Sequence, residues 1–322
     1  MKILRRFLAI LIIMLSMPAA SIAAWPDRPI TLIVPFTPGT GIDLIARQLA
    51  AHLPEALGQP VVVENLAGAS GNIGTEKAVR ADPDGYTFLV TVNTLVMNRS
   101  LYKNKLRFDP LSDLVPVGQT SWGSLLLVTH PSNAANTVAE VAQAAKAQPG
   151  KLTYGTPGVG TPHHLSMALF LDGIDATMLH VPYKGTSGAV TDMLAGRLDY
   201  MFLPVHVALP HVRAGQLKVI ATGSPKRLPQ IKDVPTLTES GLKDADVDMW
   251  YGLFAPKGTS DDVVQRMNQA INHVLEDPSV AKAFDAQGMV PATSNPAEFG
   301  ELVLKDAKRW DNVISRNEIK AD

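Results

Sequence analysis

Two hydrophobic periods alternate along this chain, and their order sets out its organisation. Thr31 to Val34 are β-prone and lead into Pro35, after which Ile42, Ile45, Ala46, Leu49 and Leu53 recur at helical spacing. The pattern predicts a strand, a turn at Phe36-Thr37-Pro38-Gly39-Thr40-Gly41 and a helix. A second apolar run, Val61-Val62-Val63, ends at Glu64-Asn65 and is followed by a glycine-rich loop, Gly68-Ala69-Ser70-Gly71-Asn72-Ile73-Gly74, and a short helix to Arg80. Residues 86–92 form a third strand. This β-α-β-α-β order implies a parallel sheet with right-handed crossovers, whose ligands sit at the carboxyl ends of the strands. Both glycine loops fall there.

Residues 93–121 show no clear period and read as irregular, and a new α/β run starts with the strand 124–129. Asn136 or Thr137 caps a helix with Glu140 in place, and Pro149-Gly150 stops it. Strands at 152–154 and 178–181 follow, the second entering the loop Pro182-Tyr183-Lys184-Gly185-Thr186-Ser187-Gly188 before a helix over 189–195. Strands at 200–203 and 217–221 complete this half. Proline and polar residues fill 224–241, and 249–254 reads as a strand crossing back, so the amphipathic helices at 261–275 and 298–314 should pack on the first half. Two lobes, 24–123 with 240–322 and 124–239, joined by two crossings make a hinged clamp, the geometry of periplasmic binding proteins.

Composition narrows the function. With 46% hydrophobic and 18% charged residues, the chain of 322 is globular and long enough for two domains. Residues 1–23 stand apart: Lys2, Arg5 and Arg6 precede an apolar run and the small residues Ser21-Ile22-Ala23-Ala24, the pattern of a cleaved secretory signal peptide. The apolar run is shorter than the ~18 residues of a membrane span, so the mature chain is expected in the periplasm. Losing three basic residues and no acidic one takes the formal charge from −1 to −4, which argues against a nucleic-acid partner. There is no cysteine, which excludes disulfides, a thiol nucleophile and thiolate metal sites.

The glycine turns carry the candidate chemistry. Thr37-Pro38-Gly39-Thr40-Gly41 is echoed by Thr156-Pro157-Gly158-Val159-Gly160, and each follows a strand and precedes a helical pattern. Thr40 with Asp43 resembles a capping box. A helix start built this way points unpaired N–H groups and the positive end of the helix dipole beyond the strand, which favours an anion. Glycine turns also simply join strands to helices; the pairing in two halves suggests a cleft closed from both sides.

Other chemistries lack their residues. A dinucleotide fingerprint needs a third glycine where Leu44 stands, and no phosphate-binding Gly-x-x-x-x-Gly-Lys-Ser/Thr occurs. His163-His164 lacks a His-Glu-x-x-His frame or an acidic cluster, so His164 reads as a hydrogen-bonding residue at a helix start, and neither metal nor cofactor is expected. Ser70, Ser187 and Asp199 have no base and no nucleophile elbow, and Asp199 reads as stabilising a strand start. Lys184 either steers an anion or is a solvated turn lysine. Tyr183, Phe202 and Trp250 are candidates to line the cleft, against a core role. Asp43 either caps its helix or shapes the turn.

Trp25-Pro26-Asp27-Arg28-Pro29-Ile30, Val34-Pro35-Phe36, Pro38-Gly39, Asp43 and Ala46-Arg47 resemble the opening of the Bug-type solute-binding receptors of tripartite tricarboxylate transporters. Val63-Glu64-Asn65 with Gly68-Ala69 and Gly71, Pro83-Asp84-Gly85-Tyr86-Thr87, Gly158-Val159-Gly160-Thr161 with His164-Leu165, and Val181-Pro182-Tyr183-Lys184-Gly185 match in register over the chain. The resemblance implies a two-lobed α/β Venus-flytrap fold with parallel-type sheets, helices on both faces and two crossover strands. It further implies a monomeric receptor, not an enzyme, that holds a small carboxylate by backbone amides and ordered water and hands it to a membrane permease. Di- or tricarboxylates, acidic amino acids and aromatic acids are the candidate ligands; a hydrolase of carboxylate esters or amides, or a sensor feeding a signalling partner, are the alternatives. The implied site comprises Phe36, Thr37, Pro38, Gly39, Thr40, Asp43, Ala69, Ser70, Thr156, Pro157, Gly160, Thr161, His164, Tyr183, Lys184, Gly185 and Phe202. Thr40 departs from the family, which has a second consecutive glycine there.

Overall fold

The computed structural model describes residues 25–103, 105–183, 185–243, 245 and 247–320. The expected leader and Lys184 lie outside them. The first half runs β1 (Ile30–Val34), α1 (Gly41–Leu57), β2 (Val61–Asn65), α2 (Asn72–Val79), β3 (Thr87–Val92), α3 (Thr94–Leu101), α4 (Pro110–Asp113) and β4 (Leu114–Gly123). The second contains β5 (Leu125–Thr129), α5 (Val138–Ala147), β6 (Thr153–Thr156), α6 (Pro162–Ile174), β7 (Leu179–Pro182), α7 (Thr186–Leu194), β8 (Met201–Pro204), α8 (Val205–Arg213) and β9 (Lys218–Thr222). The chain then returns through β10 (Met249–Pro256), α9 (Asp261–Leu275), α10 (Pro278–Ala286), β11 (Met289–Pro291) and α11 (Pro296–Arg316).

Strand alternation explains the layers. In β1, Ile30, Leu32 and Val34 join the core with Ile42, Ile45, Leu49 and Leu53 of α1 and Met267 and Ile271 of α9. Ile33 turns to the opposite face, against Val96 of α3 and Val303 and Trp310 of α11. The period of two therefore seats helices on both faces. β5 repeats the device: Leu125 and Leu127 face Val141 and Phe170, while Leu126 and Val128 face Met193 and Ala208.

The first sheet has the order β11-β4-β10-β3-β1-β2. β1 pairs in parallel with β2 and β3, whereas β10 runs antiparallel to β3 and β4, because it re-enters from the other lobe. In the second lobe β8-β5-β9 is antiparallel and β6-β7 parallel, with a bridge between Tyr154 and Tyr200 linking the two. The sheets are thus mixed, parallel at the glycine loops and antiparallel where the chain crosses between lobes. The expectation that 93–121 is irregular is overturned: it holds α3, α4 and the ten-residue β4. Leu95, Val96 and Met97 in α3 are all buried, so no exposed face marks the helix. β4 buries Gln119, Thr120 and Ser121, which read as polar in sequence.

Candidate functional site

The turn after β1 is built by a buried carboxylate. Asp43, only 2% exposed, accepts from the Gly39 N–H (2.8 Å), Arg47 Nε (2.9 Å) and Asn65 Nδ2 (2.9 Å), and Asn65 also donates to the Phe36 carbonyl (3.1 Å). Burial pushes this carboxyl up, but the hydrogen bonds from Arg47, Gly39 and Asn65 outweigh it and hold its pKa below the usual range. Of the two roles open for Asp43, the geometry shows the shaping one. The expected capping box is absent: the Thr40 hydroxyl donates back to the Thr37 carbonyl (3.0 Å), and the Asp43 carboxylate reaches Gly39 instead. Gly39 has φ +83°, and a Cβ there would meet nothing within 4 Å, so the turn needs glycine for its backbone alone. Thr37, Pro38 and Gly39 are exposed, and the first amides of α1 have no partner within the helix.

The loop after β2 holds two non-glycine residues in the left-handed region, Ala69 (φ +47°) and Ser70 (φ +55°). Such backbone costs on the order of 1–3 kcal/mol per residue and needs external support. Asn98 of α3 supplies it, donating to the Ser70 carbonyl (2.8 Å), while the Ser70 hydroxyl lies 3.3 Å from that of Tyr102.

In the second lobe, Thr156 Oγ1 accepts from the Gly158 N–H (3.3 Å) and lies 2.6 Å from His180 Nε2. Thr161 caps α6, accepting from the His164 N–H, and donates to the Gly158 carbonyl (2.8 Å). His164 Nδ1 accepts from the Gly160 N–H (3.0 Å), so its ring proton sits on Nε2, the helix-start role expected. Tyr154, His180 and His164 form one stack, with centroids 4.8 and 4.0 Å apart. Burial pushes His180 down to about 4, and burial together with His180 does the same to His164, so both rings are neutral.

The Tyr183 N–H donates to the Thr156 carbonyl (2.9 Å) and ties the end of β7 to the loop after β6. The Tyr183 hydroxyl, pushed up to about 12 by burial and Asp192, donates to Asp192 (2.5 Å) and so serves α7. Gly185 precedes α7 with φ +158°. A Cβ on Gly158 would stand 3.5 Å from the Tyr183 carbonyl, so these two loops abut, with Pro157 between Thr156 and Gly158.

Phe202 and Trp250 do not line the cleft. Phe202 is fully buried, edge-on to Phe170, because β8 turns it into the lobe core. Trp250 packs against Phe254 and Phe299 and donates to Asp306 (2.8 Å). It borders a cavity of about 880 Å³ with Trp122, Leu228, Leu302 and Lys305, beside the crossings and lined by none of the glycine-turn residues. Asp199 fixes the start of β6, accepting from the Thr153 N–H (2.7 Å), as expected.

Contacts between the halves bring the loops face to face. A Cβ on Gly160 would lie 2.5 Å from Leu101 of α3, and one on Gly41 would lie 3.6 Å from His206 Cε1 and 3.5 Å from the Tyr251 hydroxyl. His206 and Tyr251 therefore meet at the first-lobe turn, with His163 in the neighbourhood of His206, and sequence reasoning did not select the three as ligand contacts. Their signal was positional: His163 and His206 are each the second residue of a helix entered at the end of a strand or strand-end loop. Among the described residues, no group of three His, Cys, Asp or Glu side chains is placed to hold a metal ion, and no helix is long and apolar enough to cross a membrane.

Residues 45–319 match the model of the tripartite tricarboxylate transporter family receptor. A protein encoded in the tcbD-tcbE intergenic region of Pseudomonas sp. (strain P51) is 36% identical over 305 residues, covering 94% of this chain and 90% of its own. Protein BugT of Bordetella pertussis is 35% identical over 300 residues, covering 92% of each. Among solved structures, a periplasmic transporter superposes with TM-score 0.83 at 36% identity, covering 93% of this chain and 100% of its own. An R. palustris protein solved with adipate gives 0.82 at 31%, covering 92% and 99%. MatC from Rhodopseudomonas palustris, with bound malate, gives 0.79 at 29%, covering 90% and 100%.

Proposed function

Because the chain belongs to the tripartite tricarboxylate transporter receptor family, whose relatives are periplasmic binding proteins, we propose that it captures a small carboxylate between its lobes and delivers it to a membrane permease. One observation carries this reading: the turn at 36–41, shaped by Asp43, and the loop at 156–161 each end a strand with a helix start, and their lobes touch across the cleft at Gly41 and Gly160. Unpaired helix-start amides of α1 suit an anion without a buried arginine, and the second-lobe loop faces them. Relatives solved with adipate and malate support the ligand class.

In this reading the lobes are 24–123 with 240–322 and 124–239, and they close like a flytrap about the two crossings. Phe36, Thr37, Pro38, Gly39 and Thr40 offer the first-lobe turn, with Ala69 and Ser70 beside it. Thr156, Pro157, Gly160 and Thr161 offer the second-lobe loop, Asp43 and His164 hold these backbones in shape, and Tyr183, Lys184 and Gly185 close the wall. The receptor acts as a periplasmic monomer and leaves its ligand unchanged. Intact-mass measurement on a periplasmic extract should find a chain starting at Ala24 or Trp25.

The site is tested by Gly39→Val and Gly158→Val. A branched side chain disfavours positive φ and blocks close approach to the backbone. A thermal-shift screen of organic acids identifies a ligand, since one at a hundred times its Kd adds about 2.7 kcal/mol. Calorimetry should then show each folded variant weakened on the order of tenfold to a hundredfold, the worth of about one charge-assisted hydrogen bond. Wild-type affinity in both variants would refute the placement.

A further inference from the structure

We propose that the cavity beside the two crossings is a second small-molecule site, which takes a flat apolar body carrying one anionic group. Ser124 and Asp248 of the crossings border it, joined by a hydrogen bond from the Ser124 hydroxyl to the Asp248 carboxylate (2.7 Å). The second lobe contributes residues 224–229 after β9, and the first lobe contributes Trp122, Trp250, Val290 and one face of α11. Its volume of about 880 Å³ falls within the ~300–1,000 Å³ of small-molecule sites. No residue of the glycine turns borders it, so the site does not depend on the receptor reading above.

Strand register makes the floor apolar. Trp122 of β4 stands opposite Trp250 of β10 on one side and Val290 of β11 on the other, so the three share one face of the sheet in a single row. Trp250 is buried and its indole N–H is committed to Asp306. Trp122 is only half-buried and Val290 is 51% exposed, which leaves the outer part of the row uncovered. Leu302 of α11 and Leu228 of the second lobe close on the same space. A flat ring laid on Trp122 would gain stacking in addition to burial.

The rim is positive, on a chain whose formal net charge is −1. Lys305, Lys308, Arg309 and Asn312 follow the i, i+3, i+4, i+7 spacing of one helix face along α11, and Lys226 and Arg227 approach from the second lobe. Five cationic side chains thus border a cavity that holds two carboxylates, Asp248 and Asp306, which already accept from Ser124 and Trp250. Arg227 is held by Glu239 (2.8 Å), but the ammonium groups of Lys226, Lys305 and Lys308 have no hydrogen bond or ion pair among the described residues. Charged donors above an apolar floor select an anionic head on an apolar body. A neutral molecule of the same shape forgoes the head, and a small bare anion forgoes the floor.

The test titrates the mature protein calorimetrically with naphthalene-2-carboxylate, with the neutral 2-naphthamide of the same shape, and with acetate as the head alone. The naphthalene acid should bind about tenfold or more tightly than either comparison, and more weakly as salt rises. Gly39→Val should leave this binding in place, since Gly39 does not border the cavity. Lys305, Lys308 and Val290 are exposed, so their variants keep the fold. Lys305→Glu combined with Lys308→Glu should weaken the acid by about tenfold, as should Val290→Glu, which sets a carboxylate on the floor, whereas Lys305→Arg with Lys308→Arg should bind as wild type does. Binding that is lost in folded Gly39→Val places the acid between the lobes, which overturns the second site and supports the receptor reading. Equal affinity for the acid and its amide overturns the anionic head. Undiminished binding in the charge-reversed and Val290→Glu variants, or no binding of the acid at all, overturns the site.

Discussion

Replacing Asp43 by alanine should unlatch the first-lobe turn, and the structure sets the size of the effect. The substitution strips an acceptor from the Gly39 N–H, from Asn65 Nδ2 and from Arg47 Nε at once. Arg47 is more than half exposed and returns to water at little cost, so its pair contributes little. The Gly39 amide also lies in an exposed turn and finds water. The half-buried Asn65 is different, since one of its donors is left without a partner while the other still holds the Phe36 carbonyl (3.1 Å). Hydrogen bonds to a charged group contribute about 1.5–3 kcal/mol each, and solvent recovers part of two of them, which leaves a net loss of about 2–4 kcal/mol. For a domain of this size that lowers Tm by on the order of 5–10 °C. A double-mutant cycle with Asn65→Ala isolates the pair, because removing the donor as well relieves the unsatisfied group; a coupling of about 1–2 kcal/mol is expected from urea unfolding. Ligand affinity should fall further than stability explains, as Gly39 loses its restraint. A Tm within 1 °C of wild type, or zero coupling with Asn65→Ala, would refute the view that this carboxylate shapes the turn.

Other expectations follow from the same geometry. His163, His164 and His180 are each pushed down to about 4, below an unfolded value of about 6.5, so the folded state is most stable above that pH and loses stability as pH falls from about 6.5 toward 4. Asp306, pushed up to about 6 by burial, opposes this by keeping a proton the unfolded chain releases, leaving a net slope of about 2 kcal/mol per pH unit near pH 5. A Tm that is flat between pH 7 and 5 would contradict it, and His180→Gln should make the slope shallower. Gly74→Ala should destabilise by about 2–3 kcal/mol or more in urea unfolding, because its Cβ would sit 2.6 Å from the Leu66 carbonyl oxygen and 2.7 Å from Pro35 Cα. Gly39→Ala meets no atom and should cost only the about 1–2 kcal/mol of its left-handed backbone. Thr137→Ala removes a complete capping box and should cost about 1 kcal/mol by the same measurement.

Much of the molecule was legible from residue order because its signals are local. The period-two strands and period-three-to-four helices around the turns at 36–41 and 156–161, the Thr137 cap with Glu140, and the return crossing at 249–254 depend on neighbours within a few positions. What escaped depended on partners far away in sequence. α3 carries Asn98, which supports the strained Ser70, and Leu101, which meets Gly160, yet its buried TLVM start is indistinguishable from a strand until the sheet and α11 cover it. β4 hides because its polar residues are buried between β10 and β11, where burial is set by tertiary pairing. Phe202 and Trp250 looked like cleft residues because aromatic character carries no direction; strand register turned both into cores. His206 and Tyr251, separated by 45 positions, meet at Gly41 only when two lobes fold against each other. Sequence alone therefore determined the elements around the glycine turns, the turns themselves and the family resemblance, since propensity and backbone freedom belong to each residue. The tertiary structure decided which side chains face the cleft, since direction and burial belong to the packed molecule.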